Sequence, residues 1–94
     1  MIVVRNVFVA KPGNASKLAA QLKNAAGIAG LPNYRILTDL TGGSNRVVLE
    51  YEAADAAEFE RQLEEYATNE TWRAAMKGYT DLYMTGHREL LRTV

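Results

Sequence analysis

The chain has 94 residues, 11 basic against 11 acidic side chains, a single histidine and no cysteine. That length fits one domain over residues 1–94, and a domain so small buries only about 60–65% of the surface its unfolded chain exposes, so association would add to its stability. The basic residues are scattered, which argues against nucleic acid as a partner. The lack of Cys excludes disulfides and sulfur-ligated metals, and the lone His gives no imidazole-rich metal site.

Residues 1–10 read as a central strand because both alternating sets are apolar: Ile2, Val4 and Phe8 on one side, Val3, Val7 and Val9 on the other. This alternation begins too early for a signal peptide. No apolar run approaches the roughly 20 residues that span a bilayer, so no membrane contact and a cytoplasmic location are expected. Lys11, Pro12 and Gly13 break the strand, and Asn14 is placed to cap a helix whose Ala15, Leu18, Ala19, Leu22, Ala25 and Ala26 keep the 3.6-residue period. That helix is expected to end near Gly27.

A linker with Gly30 and Pro32 leads to a second strand over 34–40 and, past the turn formers Thr41, Gly42, Gly43, Ser44 and Asn45, to a third over 46–52. The two strands should form a hairpin, with its register open, because a two-residue and a five-residue loop turn opposite side chains inward. Asp55 followed by Glu58 fits a capping box for a second helix carrying Ala56, Phe59, Leu63, Tyr66 and Ala67. Eight of the eleven acids fall between Glu50 and Glu70, where Arg61 is the only base. The plain reading is a solvated helix face, and the alternative is an acidic docking surface.

Asn69 or Thr68 can cap a third helix, whose Trp72, Ala75, Met76, Tyr79, Leu82 and Tyr83 recur at helical spacing across Gly78. Gly86 suits the left-handed position after a helix end, and residues 87–94 alternate as a last strand, with Arg88, Leu90 and Arg92 set against His87, Glu89 and Leu91. The order βαββααβ is the split βαβ plan of a ferredoxin-like α+β fold with one added helix. It implies an antiparallel sheet with its first and third strands central and its helices on one face. A first strand that is apolar on both sides would then expose Val side chains on the bare face, at about 25 cal/mol for each Å² left in water. A homodimer joined through that face is the expected cover.

The opening strand Ile2-Val3-Val4-Arg5-Asn6-Val7-Phe8-Val9, the Lys11-Pro12-Gly13 break, the Glu70-Thr71-Trp72-Arg73-Ala74-Ala75-Met76 segment and the closing Gly86-His87-Arg88-Glu89-Leu90-Leu91-Arg92 strand together resemble the dimeric α/β-barrel superfamily. That superfamily includes NIPSNAP-like proteins, antibiotic-biosynthesis-type monooxygenases and haem-degrading monooxygenases. The resemblance implies a dimeric barrel. It aligns Asn6 with the pocket Asn of the haem-degrading members, Tyr66 with their pocket Trp and Met76 with their haem-ligating His. Without that imidazole, haem degradation is disfavoured. The His-bearing helix common among the antibiotic-type members is likewise replaced by Ala75 and Met76.

Four residues are the candidates for ligand contact: Asn6, Tyr66, Trp72 and His87. Asn6 is an amide on an apolar strand face, able to orient a ligand oxygen or to bond structurally to loop backbone or across a dimer. Histidine is the side chain whose unperturbed titration falls near neutrality, so His87 is the first general acid or base to weigh, against a partly exposed structural role. Glu50 could act as a base if buried, and a salt bridge to Arg35 or Arg46 is its plainer role. Trp72 and Tyr66 can line a pocket for a flat ligand or simply pack in the core. No phosphate loop, nucleophile elbow or cofactor motif is present, so no cofactor is expected. Three functions remain: a protein binding a small apolar or aromatic molecule, a cofactor-independent monooxygenase on a phenolic or polyketide-like substrate with Asn6 and His87 stabilising its anion, and a non-enzymatic interaction module.

Overall fold

A computed structural model describes residues 1–41 and 45–94, and the turn expected at Gly42, Gly43 and Ser44 lies outside the described residues. The elements are β1 (Ile2–Ala10), α1 (Ala15–Ala29), β2 (Arg35–Thr38), β3 (Arg46–Ala53), α2 (Ala56–Thr68), α3 (Glu70–Ala75), one 3₁₀ turn (Tyr79–Asp81) and β4 (Tyr83–Arg92). The strands form one sheet in the order β2-β3-β1-β4, every pairing antiparallel, with β1 and β3 central. This is the ferredoxin-like α+β plan expected from the order of elements. No helix is long and apolar enough to cross a membrane among the described residues.

Local chemistry sets most of the boundaries. Lys11 accepts a backbone hydrogen bond from Asn14 at 2.9 Å with Gly13 at φ +82°, a tight turn that uses Pro12 and Gly13 where their backbones are favourable. Asn14 occupies the N-cap of α1 but makes no side-chain cap bond. The helix runs past Gly27 to Ala29, and Gly30, at φ 65°, ends it. There the N–H of Gly30 reaches the Gly27 carbonyl, and that of Leu31 reaches the Ala26 carbonyl, each at 3.2 Å, the Schellman closure that needs a left-handed residue. Asp55 caps α2 by accepting from the Glu58 N–H at 2.8 Å, and Asn69 caps α3 by accepting from the Trp72 N–H at 3.0 Å.

Strand register separates two faces. Val4 opposite Tyr51, Asn6 opposite Leu49 and Phe8 opposite Val47 turn toward the helices, and Arg5 opposite Glu50 and Val7 opposite Val48 turn away. Leu18, Leu22, Ala25 and Ala26 of α1 pack on Val4, Val47, Tyr51 and Ala53, and the largest fully buried side chains all belong to this contact. The molecule measures 36 × 34 × 19 Å, so it is two layers thick and the second face of the sheet carries no helix.

The third helix departs from expectation. It stops at Ala75, because Gly78 takes φ +82° and turns the chain into the 3₁₀ turn, and Tyr83 already belongs to β4. Gly86 is therefore not a helix cap. It sits within β4 opposite Phe8, where an added Cβ would lie 3.1 Å from Phe8 Cδ1 and 3.2 Å from the Val7 carbonyl oxygen. Gly86→Val is expected to push the Phe8 ring out of place and to lower stability by about 1–3 kcal/mol, read from urea denaturation.

Candidate functional site

The helices cover the sheet unevenly. α1 packs over β1, β2 and β3, and α2 leans on β3 and α3, which leaves the helix-side surface of β4 without a roof of its own. A cleft of about 390 Å³ opens in that gap, within the usual range for small-molecule sites. Asn6, Phe8, Gly86 and Arg88 line its floor, Leu63 and Tyr66 of α2, Trp72 of α3 and Met76 just beyond it overhang it, and Leu22 and Leu31 close its back.

Its walls are aromatic. Every aromatic residue of the chain except Tyr34 and Phe59 lines it. Tyr66 and Trp72 stack with centroids 5.5 Å apart and planes 26° from parallel. Across the cleft, Phe8 packs against Tyr83 at 5.0 Å and meets Tyr79 edge-on at 6.4 Å. Such ring pairs are rigid and add attraction beyond the area they bury. Burial chiefly, with Tyr51, Glu65 and Glu58 adding repulsion, pushes the Tyr66 hydroxyl up to about 12. Burial likewise raises Tyr51 and Tyr79, so these phenols are neutral donors at physiological pH, not bases.

All four residues singled out from sequence, Asn6, Tyr66, Trp72 and His87, line this cleft. Among the described residues Asn6 makes no side-chain bond to loop backbone: its Oδ1 accepts from Arg88 Nε at 2.9 Å, its partner directly opposite on β4. His87 lines it from the strand, with its ring turned to the other face. It stands in mid-strand opposite Val7, and its imidazole Nε2 lies 3.1 Å from Glu89 Oε2 on the face without helices. The expectation that His87 begins the last strand failed with the misplaced helix end. Arg88, Phe8 and the Tyr79–Tyr83 pair were not singled out. Parity along the closing strand carried the signal for Arg88, since it shares a side with Leu90 and Arg92 and not with His87.

The bare face has its own electrostatics. Glu50 Oε2 accepts from Arg5 Nε and Nη2 at 3.0 and 2.8 Å, and Glu50 Oε1 accepts from Arg35 Nε at 2.8 Å. Arg5 also lies 3.8 Å from Glu89, which holds His87, so a chain of alternating charge crosses all four strands. Arg46, the other partner weighed for Glu50, instead bonds Asp39 at the base of the hairpin. Among the described residues no group of His, Asp and Glu could hold a metal ion.

Burial by neighbouring side chains works to raise the Glu50 pKa, but the hydrogen bonds from Arg5 and Arg35 outweigh it and hold the carboxyl below its ordinary 4.5. A depressed folded value means that this stabilisation is present in full above about pH 4.5 and is lost as pH falls through the lower folded value. Glu50→Gln is expected to cost about 1 kcal/mol at neutral pH, after screening of the half-exposed arginines, and to flatten the fall in stability below pH 4.5. Urea midpoints measured from pH 7 to pH 3 on both proteins read this directly.

Neither a protein-family model nor a curated protein matches the sequence. Solved structures do. An uncharacterized NIPSNAP domain protein from Burkholderia xenovorans superposes with TM-score 0.86 at 18% identity, covering 100% of this chain and 95% of that one. A NIPSNAP family protein from Agrobacterium tumefaciens gives 0.79 at 18%, over 99% and 92%. SnoaB, a cofactor-independent oxygenase from Streptomyces nogalater, gives 0.71 at 15%, also over 99% and 92%. At such identities the likeness concerns architecture: the chain has the ferredoxin-like fold that NIPSNAP and antibiotic-biosynthesis-monooxygenase-type proteins share, as the resemblance in its sequence implied.

Proposed function

We propose that the chain binds a small, flat, apolar or aromatic molecule in the cleft beneath α2 and α3, without transforming it. The observation that carries this reading is the chemistry of the walls. A cavity of about 390 Å³ framed by stacked rings supplies broad contact for a planar ligand, and the only polar groups on its floor are Asn6 and Arg88. No carboxylate lines it, the Tyr51, Tyr66 and Tyr79 phenols are held neutral, and the one imidazole is committed to Glu89 across the sheet. Binding is well served and proton abstraction is not.

The likeness to SnoaB supports a second reading, a cofactor-independent monooxygenase acting on a phenolic or polyketide-like substrate. In that reading Asn6 and His87 would stabilise a substrate anion together, and the sheet separating the His87 ring from the cleft weighs against it. Oxygen uptake on a panel of hydroquinones and anthrones is the deciding assay. The binding reading expects none above the rate without protein.

A calorimetric titration with 2-naphthamide is expected to saturate. Tyr66→Ala should weaken it about two- to tenfold, the worth of one aromatic stack. Heats that never saturate in the unmodified protein would overturn the reading.

The homodimer belongs to the same proposal. Val3, Leu37, Val48 and Leu91 stand on the sheet face that no helix covers, and a second copy of that face would remove them from water together. Sedimentation equilibrium at micromolar concentration should give twice the chain mass of 10.4 kDa. A species of 10.4 kDa throughout would refute the dimer.

A further inference from the structure

The cleft contains one charged side chain whose hydrogen-bonding capacity is mostly unused. Arg88 stands on its floor with Nε committed to Asn6 Oδ1 at 2.9 Å and its guanidinium 5.6 Å above the Phe59 ring. Among the described residues Arg88 has no carboxylate partner, although Arg5, Arg35 and Arg46 each have one. The acids of α2 nearest the cleft, Glu58 and Glu65, line a separate hollow with Arg61 and Gln62. A cation beside apolar rings, held by an amide and by a ring face, keeps its two Nη groups free. With Nε occupied, those two nitrogens form the end-on fork that matches the paired oxygens of a carboxylate. Asn6 adds to the match: its Oδ1 faces Arg88, so its amide N–H groups point elsewhere and have no partner among the described residues.

From this arrangement we infer that the cleft selects a planar aromatic carboxylate, its ring against the aromatic walls and its carboxylate on Arg88, with the Asn6 amide as second donor. This rests on the binding reading above and specifies the ligand class. The cleft's lining supplies no anion to repel the carboxylate, and Arg88, exposed at the cleft, can be reached from solvent and offers a charge-assisted, two-pronged bond.

The test compares 2-naphthoate with its neutral near-isostere 2-naphthamide by calorimetry. In the unmodified protein the naphthoate should bind about tenfold more tightly, and Arg88→Gln should bring that ratio close to one, with Arg88→Lys intermediate because it keeps the charge and loses the fork. The ratio in the unmodified protein should also shrink as salt is raised, a readout that stands even if Arg88→Gln does not fold. Equal affinity for the two compounds, or a preference that survives Arg88→Gln in a folded protein, overturns the carboxylate inference and leaves aromatic binding standing. Failure of both compounds to bind overturns the binding reading along with it.

Discussion

The packing of α1 on β1 and β3 is the contact on which the rest of the molecule depends. Leu18 and Leu22 meet Val4 and Val47 with almost no water between them, and the small Ala25 and Ala26 let the helix approach the sheet closely. Burying side chains of this kind contributes about 1.5–3 kcal/mol each, which in so short a chain is a large share of what opposes unfolding. Because α1 lies over β1, β2 and β3, it cannot also cover β4. The two short helices that follow must do so, and they do it incompletely. The cleft is the space that results.

That geometry also explains why the cleft is aromatic and not filled with aliphatic side chains. Its roof is built from α2, which buries only Phe59 and Gln62, and from α3, which buries no residue of its own. Elements held so lightly need wide, rigid side chains to bridge the gap to the sheet, and the Tyr66–Trp72 stack and the Phe8–Tyr83 pair do that from opposite walls. The face behind is organised on another principle. There the charges of Arg35, Glu50, Arg5 and Glu89 alternate across the sheet, with valines on either side of them. The β1 strand serves both arrangements because its two alternating sets of side chains point into different environments.

Much of this was legible in the sequence, and for identifiable reasons. Doubly apolar alternation from Ile2 to Val9 marked a central strand, and the Pro12–Gly13 turn and the Asp55 cap act through local bonds that neighbouring residues alone can satisfy. The segment from Trp72 to Tyr83 misled because its spacing suits a helix equally well as a broken one. Tyr79, Leu82 and Tyr83 reach the same core through a 3₁₀ turn and a strand, and only the left-handed backbone at Gly78 separates the two paths. The same error displaced Gly86 and His87. The hairpin register, the placement of the His87 ring and the pairing of Asn6 with Arg88 depend on contacts between residues as many as 82 positions apart, which no local pattern encodes.

The proposed ligand site lies on the helix side of the sheet, in the gap over β4. Mapping amide chemical shifts during titration with 2-naphthamide tests it most directly. Changes should concentrate at Phe8, Gly86, Tyr66 and Trp72, around the cleft. Changes confined instead to Leu37, Val48 and Glu89, on the face without helices, would contradict it.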